Sequence, residues 1–217
     1  PDTFIQLIIN IFGIDDYMTY RHLTCNIIAW LGILFSALLA KRIGGWRASV
    51  LTIALLLVSP RFIGHSFNNL KDIPFATASI MSIYYMTKFL QQLPKIKIST
   101  SIMLTLSIVL TMSVRVGGLL MIAYFGLFAT IYYLYKRKTL KPVFWKTLVW
   151  ALGICIIAYI LTIFTWPYAM EGPIKNVFDA FFNMNKFAIF IRQNFEGIAQ
   201  WSNDLPWYYS SKFILIT

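Results

Sequence analysis

Charged residues are scarce in this chain. They make up 12% of its 217 residues, whereas hydrophobic residues make up 59%. Since an ordinary soluble domain carries about 25% charged residues, a soluble fold of this length would lack the charges to cover its surface. Together with a mean hydropathy of +0.68, this scarcity predicts a multi-pass integral membrane protein with an all-α, polytopic transmembrane helix bundle.

Cysteine and histidine are also rare. Cys25 and Cys155 both fall inside apolar runs, so the sequence indicates neither a disulfide framework nor a thiolate metal site. His22 and His65 lack ligand-like spacing to each other or to cysteine. The phosphate-binding patterns GxxxxGK(S/T) and GxGxxG and the nucleophile pattern GxSxG do not occur. The residues therefore predict no metal site, and dependence on a divalent metal stays open.

Long apolar runs make up most of the chain. A helix needs roughly 20 apolar residues to cross a bilayer, and the sequence predicts about six spans and the start of a seventh at 211–217. We place the break between the fourth and fifth spans at "VRVGG", because Arg115 is charged and two glycines permit a turn. The predicted organisation is an outer-face segment 1–22, a bundle 23–166 and an outer-face loop 167–210. The six spans are 23–40, 47–60, 73–90, 98–114, 116–135 and 144–166.

The basic residues are distributed by side of the membrane. The connections 41–47, 88–97 and 136–146 hold 11 of the 19 Lys and Arg residues and none of the eight acids. By the positive-inside rule these connections are cytoplasmic, and every acid then falls on the other face. Because the basic residues lie at span ends, the net charge of +11 predicts topology and no nucleic-acid partner. The segregated acids indicate carboxylate chemistry on the outer face.

One connection, "SPRFIGHSFNNLKDIPF" at 59–75, gathers polar groups between two apolar runs. Asp72 there is either a helix cap or an exposed loop charge, or a carboxylate at the membrane boundary whose basicity partial burial raises. Lys71 is its neutralising partner or an anion ligand. On the same face, Arg115 either snorkels or binds phosphate through its planar fork of donors. Arg61, His65 and Arg21 are weaker candidates of the same kind.

These segments resemble a known family. "YRHLTCNIIAWLGILFSALLAKRIGG", "LLLVSPRFIGHSFNNLKDIPFATASIMSIYY", "VRVGGLL", "FTWPYAMEGP" and "GIAQWSNDLPWYYSSKFILIT" are similar to GT-C glycosyltransferases of the polyprenyl-phosphate-sugar-dependent group. That group, which includes family 39, contains protein O-mannosyltransferases and lipid A aminoarabinose transferases. In it a span ends in Ser-Pro, and an Asp-x-Pro opens the next span. Here those positions are Ser59, Pro60, Asp72 and Pro74, and the resemblance covers nearly the whole chain.

The resemblance implies an activity. A sugar on undecaprenyl- or dolichyl-phosphate would move, with inversion, to an acceptor hydroxyl of a protein, lipid or glycan on the non-cytoplasmic side of a membrane, here a bacterial plasma membrane. Asp72 would be a supporting acid and Arg115 a phosphate ligand. Since Pro1 opens the chain, we expect an internal piece whose main base lies upstream; we do not assign that role to Asp15 or Asp16. The alternative is a transporter or flippase of a lipid-linked substrate.

Overall fold

The computed structural model describes residues 16–184 and 191–216, and 82% of the structure is helical. Short 3-10 turns at Val116–Gly118 and Lys141–Val143 join some of the helices. The elements, in chain order, are α1 (Tyr17–Val58), α2 (Pro60–Asn68), α3 (Asp72–Gln92), α4 (Ile98–Val114), α5 (Leu119–Tyr135), α6 (Arg137–Leu140), α7 (Phe144–Thr165), α8 (Pro167–Glu171), α9 (Lys175–Asn183), β1 (Arg192–Phe195), β2 (Ile198–Trp201) and α10 (Tyr209–Ile216).

Helix α1 is two helical arms joined at Gly45. This residue has φ 79° and ψ −171°, a backbone conformation that essentially only glycine adopts. Trp30 of the first arm and Leu57 of the second line the same small groove. In a straight helix these residues would be about 40 Å apart. The chain therefore reverses direction at Gly45, inside the connection 41–47 predicted between the first two spans.

The core lies where α3, α4, α5 and α7 meet. Its largest fully buried side chains are Met86, Phe89, Leu104, Ile108 and Phe125, and the rings of Phe89 and Phe125 pack edge-on with their centroids 5.6 Å apart. Buried hydroxyls also join the helices, since Ser82 Oγ lies 3.2 Å from Thr111 Oγ1. In lipid, close packing and such interhelical hydrogen bonds hold helices together.

The connection between α4 and α5 is short. Helix α4 ends at Val114, Arg115 is extended (φ −148°, ψ 141°), and the turn Val116–Gly118 leads directly into α5. A Cβ on Gly118 would lie 2.6 Å from the backbone nitrogen of Met112, so the two segments approach too closely for any side chain there. The predicted break at "VRVGG" is confirmed, but Gly118 is needed for close contact rather than for an unusual φ.

The connection 59–75 differs from the expected loop. Most of it is helix α2, which begins with Ser59 as its N-cap and Pro60 in its first turn. The Ser59 hydroxyl accepts a hydrogen bond from the Phe62 backbone amide at 3.3 Å. Serine at the N-cap followed by proline is a favoured helix start, so the Ser-Pro pair that ends one helix also begins the next.

Among the described residues, three helical stretches are long and apolar enough to cross a membrane. They are Tyr17–Val58, Val116–Tyr135 and Arg137–Thr165, and the apolar helix Ile98–Val114 is shorter. The chain is thus mostly helical, with membrane-spanning character. The count of six spans and the GT-C fold stay predictions.

The described chain divides into two compact units between Val177 and Phe178. The second unit contains an antiparallel hairpin of β1 and β2, which the all-α prediction did not include. Its turn is Glu196-Gly197, both with positive φ, as in the two-residue turns that match the twist of paired strands. The Phe195 ring packs against Tyr209, whose hydroxyl donates to Gln193 Oε1 at 2.7 Å.

Candidate functional site

The candidate site begins with the amide of Asn69, the residue that caps the C-terminus of α2. Its Oδ1 accepts hydrogen bonds from the backbone amides of Lys71 (3.1 Å) and Asp72 (2.8 Å). Its Nδ2 donates to Asp72 Oδ2 at 2.7 Å and lies 3.1 Å from His65 Nδ1. One side chain thus ties the end of α2 to the start of α3 and holds the Asp72 carboxylate in a defined direction.

The second oxygen of that carboxylate meets Arg115. Arg115 Nη2 lies 2.5 Å from Asp72 Oδ1, and the guanidinium also lies over the Phe75 ring, 5.9 Å from its centre. The pair joins positions 43 residues apart in sequence. It forms because α3 and α4 pack along their length and the extended backbone at Arg115 follows directly from α4. The Asp72 and Arg115 side chains, named separately from the sequence, are therefore in direct contact.

The pair is half exposed, with 46% of the Arg115 side chain and 56% of the Asp72 side chain accessible. An ion pair of this exposure in water contributes about 0–1 kcal/mol to stability. The pair therefore contributes little to the stability of the fold. Either charged group can leave the pair and bind an incoming anion or hydroxyl instead.

An apolar groove of about 420 Å³ begins beside the ion pair. Pro74 and Val114, close in sequence to Asp72 and Arg115, line it at this end, and Leu31 and Met81 line it deeper in the bundle. Its walls come from the first arm of α1, from α3 and from α4. One end of the groove is thus formed by residues that are close in sequence to the ion pair, although the pair itself does not line the groove.

The other predicted residues lie near this end of the bundle. His65 is connected to Asp72 through Asn69, as described above. Lys71 is exposed and contributes its backbone amide to Asn69. Arg61 is exposed, one helical turn before His65 on α2, and Arg21 is half-buried on α1. The ion pair that the structure describes at Asp72 is the one with Arg115.

Sequence reasoning missed Asn69 as a site residue. The signal was present, because an asparagine three residues before a helix-opening aspartate is placed to accept that residue's backbone amide. Phe75 was missed too, and its position beneath the guanidinium depends on the packing of two distant segments.

Asp16 has a local structural role. It caps α1, and hydrogen bonds from Thr19, from its side chain first and then from its backbone amide, lower the pKa of the Asp16 carboxyl. A carboxylate held in its charged form by a cap is a weak base, which agrees with leaving the base role unassigned here. Asp15 lies outside the described residues.

Within residues 16–184 and 191–216, no three His, Cys, Asp or Glu side chains group as a metal site would require. Comparison of the chain with protein-family models, with curated proteins and with solved structures finds no match. The resemblance to GT-C glycosyltransferases therefore stays a prediction from the sequence motifs.

Proposed function

We propose that this chain belongs to an integral-membrane glycosyltransferase that moves a sugar from a polyprenyl-phosphate carrier to an acceptor hydroxyl on the non-cytoplasmic side. The observation that carries this proposal is the contact between Asp72 and Arg115, whose sequence neighbours Pro74 and Val114 line one end of an apolar groove. A lipid phosphate needs an apolar path for its chain and a cation at the end of that path. A hydroxyl acceptor needs a carboxylate nearby.

The proposed roles combine the resemblance with the contacts of Asp72 and Arg115. In the reaction, the bond between the anomeric carbon and the carrier phosphate breaks while the acceptor oxygen bonds to that carbon, and the acceptor proton goes to a base. Arg115 offers further N–H donors to the departing phosphate, whose negative charge grows as the bond breaks. Asp72, oriented by Asn69, accepts a hydrogen bond from the acceptor or sets the guanidinium plane. No residue of this chain is assigned the role of the principal base.

The location of the site supports an active face outside the cytoplasm. Asp72 and Arg115 lie at the helix ends opposite the connections 41–47, 88–97 and 136–146, which carry the basic residues. The positive-inside rule assigns those connections to the cytoplasm. We infer a multi-pass protein of the bacterial plasma membrane, with its donor held in the outer leaflet.

The test is transfer of a labelled sugar from polyprenyl phosphate in membranes that contain the protein. We expect Asp72→Asn and Arg115→Gln each to lower turnover about 10- to 100-fold, the range for losing one hydrogen bond to a charged group. The double variant should lower turnover by less than the product of the two single fold-changes, because the residues act as a pair. Asp179→Asn and Lys138→Gln, which remove the same charges elsewhere, serve as controls.

Unchanged turnover in Asp72→Asn would remove Asp72 from the site. Movement of the lipid-linked sugar across the membrane without transfer to an acceptor would overturn the enzyme proposal. It would favour a transporter or flippase instead.

A further inference from the structure

A second groove lies at the opposite end of the bundle, between α3 and α5. It has a volume of about 340 Å³. Met86 and Leu90 of α3 face Phe128 and Ile131 of α5 across it. Both helices run toward the basic connections, so the groove ends there, at Gln91 on one wall and Tyr135 on the other.

A cation stands on each wall at this end. Arg42 Nη1 donates to Gln91 Oε1 at 2.5 Å, which holds the guanidinium beside the α3 wall. Lys136 Nζ lies 5.2 Å from the centre of the Tyr135 ring, which places the ammonium beside the α5 wall. Arg42, Tyr135 and Lys136 are all exposed.

The charge at this end is uncompensated by acids of the adjoining segments. The connections 41–47, 88–97 and 136–146 contain none of the eight acidic residues of the chain. An apolar groove that ends between two cations is complementary to an amphiphile with an anionic head. Basic recesses between helices on the cytoplasmic side are where anionic phospholipid head groups bind.

We propose that this groove is a binding site for an anionic phospholipid of the inner leaflet. One acyl chain lies between α3 and α5, and the phosphate lies between Arg42 and Lys136. A zwitterionic lipid would bring a positive group toward the same two cations, so the site discriminates by head-group charge. A helix of another protein would fill the apolar part of the groove without needing those cations. The site is independent of the catalytic proposal.

The test uses the purified chain in detergent, with bound lipids counted by native mass spectrometry. Phosphatidylglycerol and phosphatidylcholine with identical acyl chains are titrated separately. We expect phosphatidylglycerol to bind about tenfold more tightly, and Arg42→Gln and Lys136→Gln each to weaken it about fivefold, the effect of one basic residue near an anionic surface. Lys141→Gln removes the same charge from the same end without adjoining the groove, and should change binding little.

The groove itself is tested by Thr87→Phe. Thr87 lines the groove, and a phenyl ring at this position would occupy the space proposed for the acyl chain. We expect this variant to keep the melting temperature of the parent and to lose tight phosphatidylglycerol binding. Inorganic phosphate at millimolar concentration should not displace the lipid, because the acyl chain contributes to binding. Equal affinity for the two lipids, or full binding by the Arg42 and Lys136 variants, would overturn the proposal. Displacement by phosphate would also overturn it, and so would full binding by Thr87→Phe.

Discussion

At the scale of single residues, the site depends on a neutral side chain. Asn69 makes hydrogen bonds to two backbone amides and to the Asp72 carboxylate. The carboxylate therefore reaches Arg115 already oriented. An exposed carboxylate on a free loop would instead pay rotamer entropy for each contact.

We predict that Asn69→Ala lowers the free energy of unfolding by about 1–3 kcal/mol, because each lost hydrogen bond contributes about 0.5–1.5 kcal/mol. Asn69→Asp keeps the acceptor for the backbone amides but places a second negative charge beside Asp72, so we expect it to be at least as destabilising. Thermal unfolding in detergent measures both. Asn68→Ala, a change at an exposed neighbour, is the control, and equal melting temperatures for all four proteins would contradict the role given to Asn69.

Sequence reasoning at this scale named the two charged residues but not their contacts. Asp72 and Arg115 stand out because charges are rare at the ends of apolar runs. Their mutual contact depends on how α3 and α4 pack, and no local pattern encodes a pairing over 43 positions. Lys71, the sequence neighbour, was for that reason one candidate partner of Asp72.

At the scale of elements, glycines and caps set the ends of the helices. The breaks at "VRVGG" and in 41–47 were predictable from charge and glycine within an apolar run. Helix α2 was missed because its polar residues obscured a start signal that Ser59 and Pro60 carry. Short helices of this kind draw their stability from neighbours, here from the first arm of α1, which packs Cys25 beneath the His65 carbonyl (Sγ to O 3.7 Å).

Gly118 offers a test of the α4–α5 connection. We predict that Gly118→Ala lowers stability by about 1–3 kcal/mol, the usual cost of forcing a methyl group into a packed contact. The added Cβ would meet the backbone of Thr111 and Met112 at 2.6–2.7 Å. The backbone must move to accommodate this methyl group. Because Arg115 lies between Met112 and Gly118 in the chain, this movement should also weaken the contact of Arg115 with Asp72.

Gly126→Ala is the matched control, since it lies within α5 and a Cβ there meets nothing within 4 Å. Replacing a helical glycine by alanine in open space should leave stability unchanged or raise it by about 0.5–1 kcal/mol. Equal melting temperatures for the two variants would show that Gly118 is not a close contact in the membrane.

At the scale of the whole molecule, the distribution of charge predicted the topology. Its physical basis is general, because translocating Lys and Arg is costly while acids contribute little. The membrane character of the chain followed from composition alone. The hairpin of β1 and β2 did not, because its strands have four residues each and carry no long alternating pattern.

The orientation can be measured with single cysteines. In a background of Cys25→Ala and Cys155→Ala, we predict that Asn68→Cys reacts with an impermeant maleimide in right-side-out vesicles. Lys138→Cys should react only after the vesicles are opened. Both positions are exposed, so burial does not explain a difference. The reverse pattern would invert the topology and move the Asp72–Arg115 pair to the cytoplasmic side.

The reversal at Gly45 has a consequence for the surrounding lipid. The second arm of α1, from Trp46 to Val58, has 13 residues and a length of about 20 Å, against a hydrocarbon core of about 30 Å. A short arm is accommodated by local thinning of the bilayer. Under the predicted topology, helix α2 and the ion pair beyond it would then lie in a depression of the outer leaflet. Acyl-chain length would thereby become a variable that sets how much water reaches Asp72.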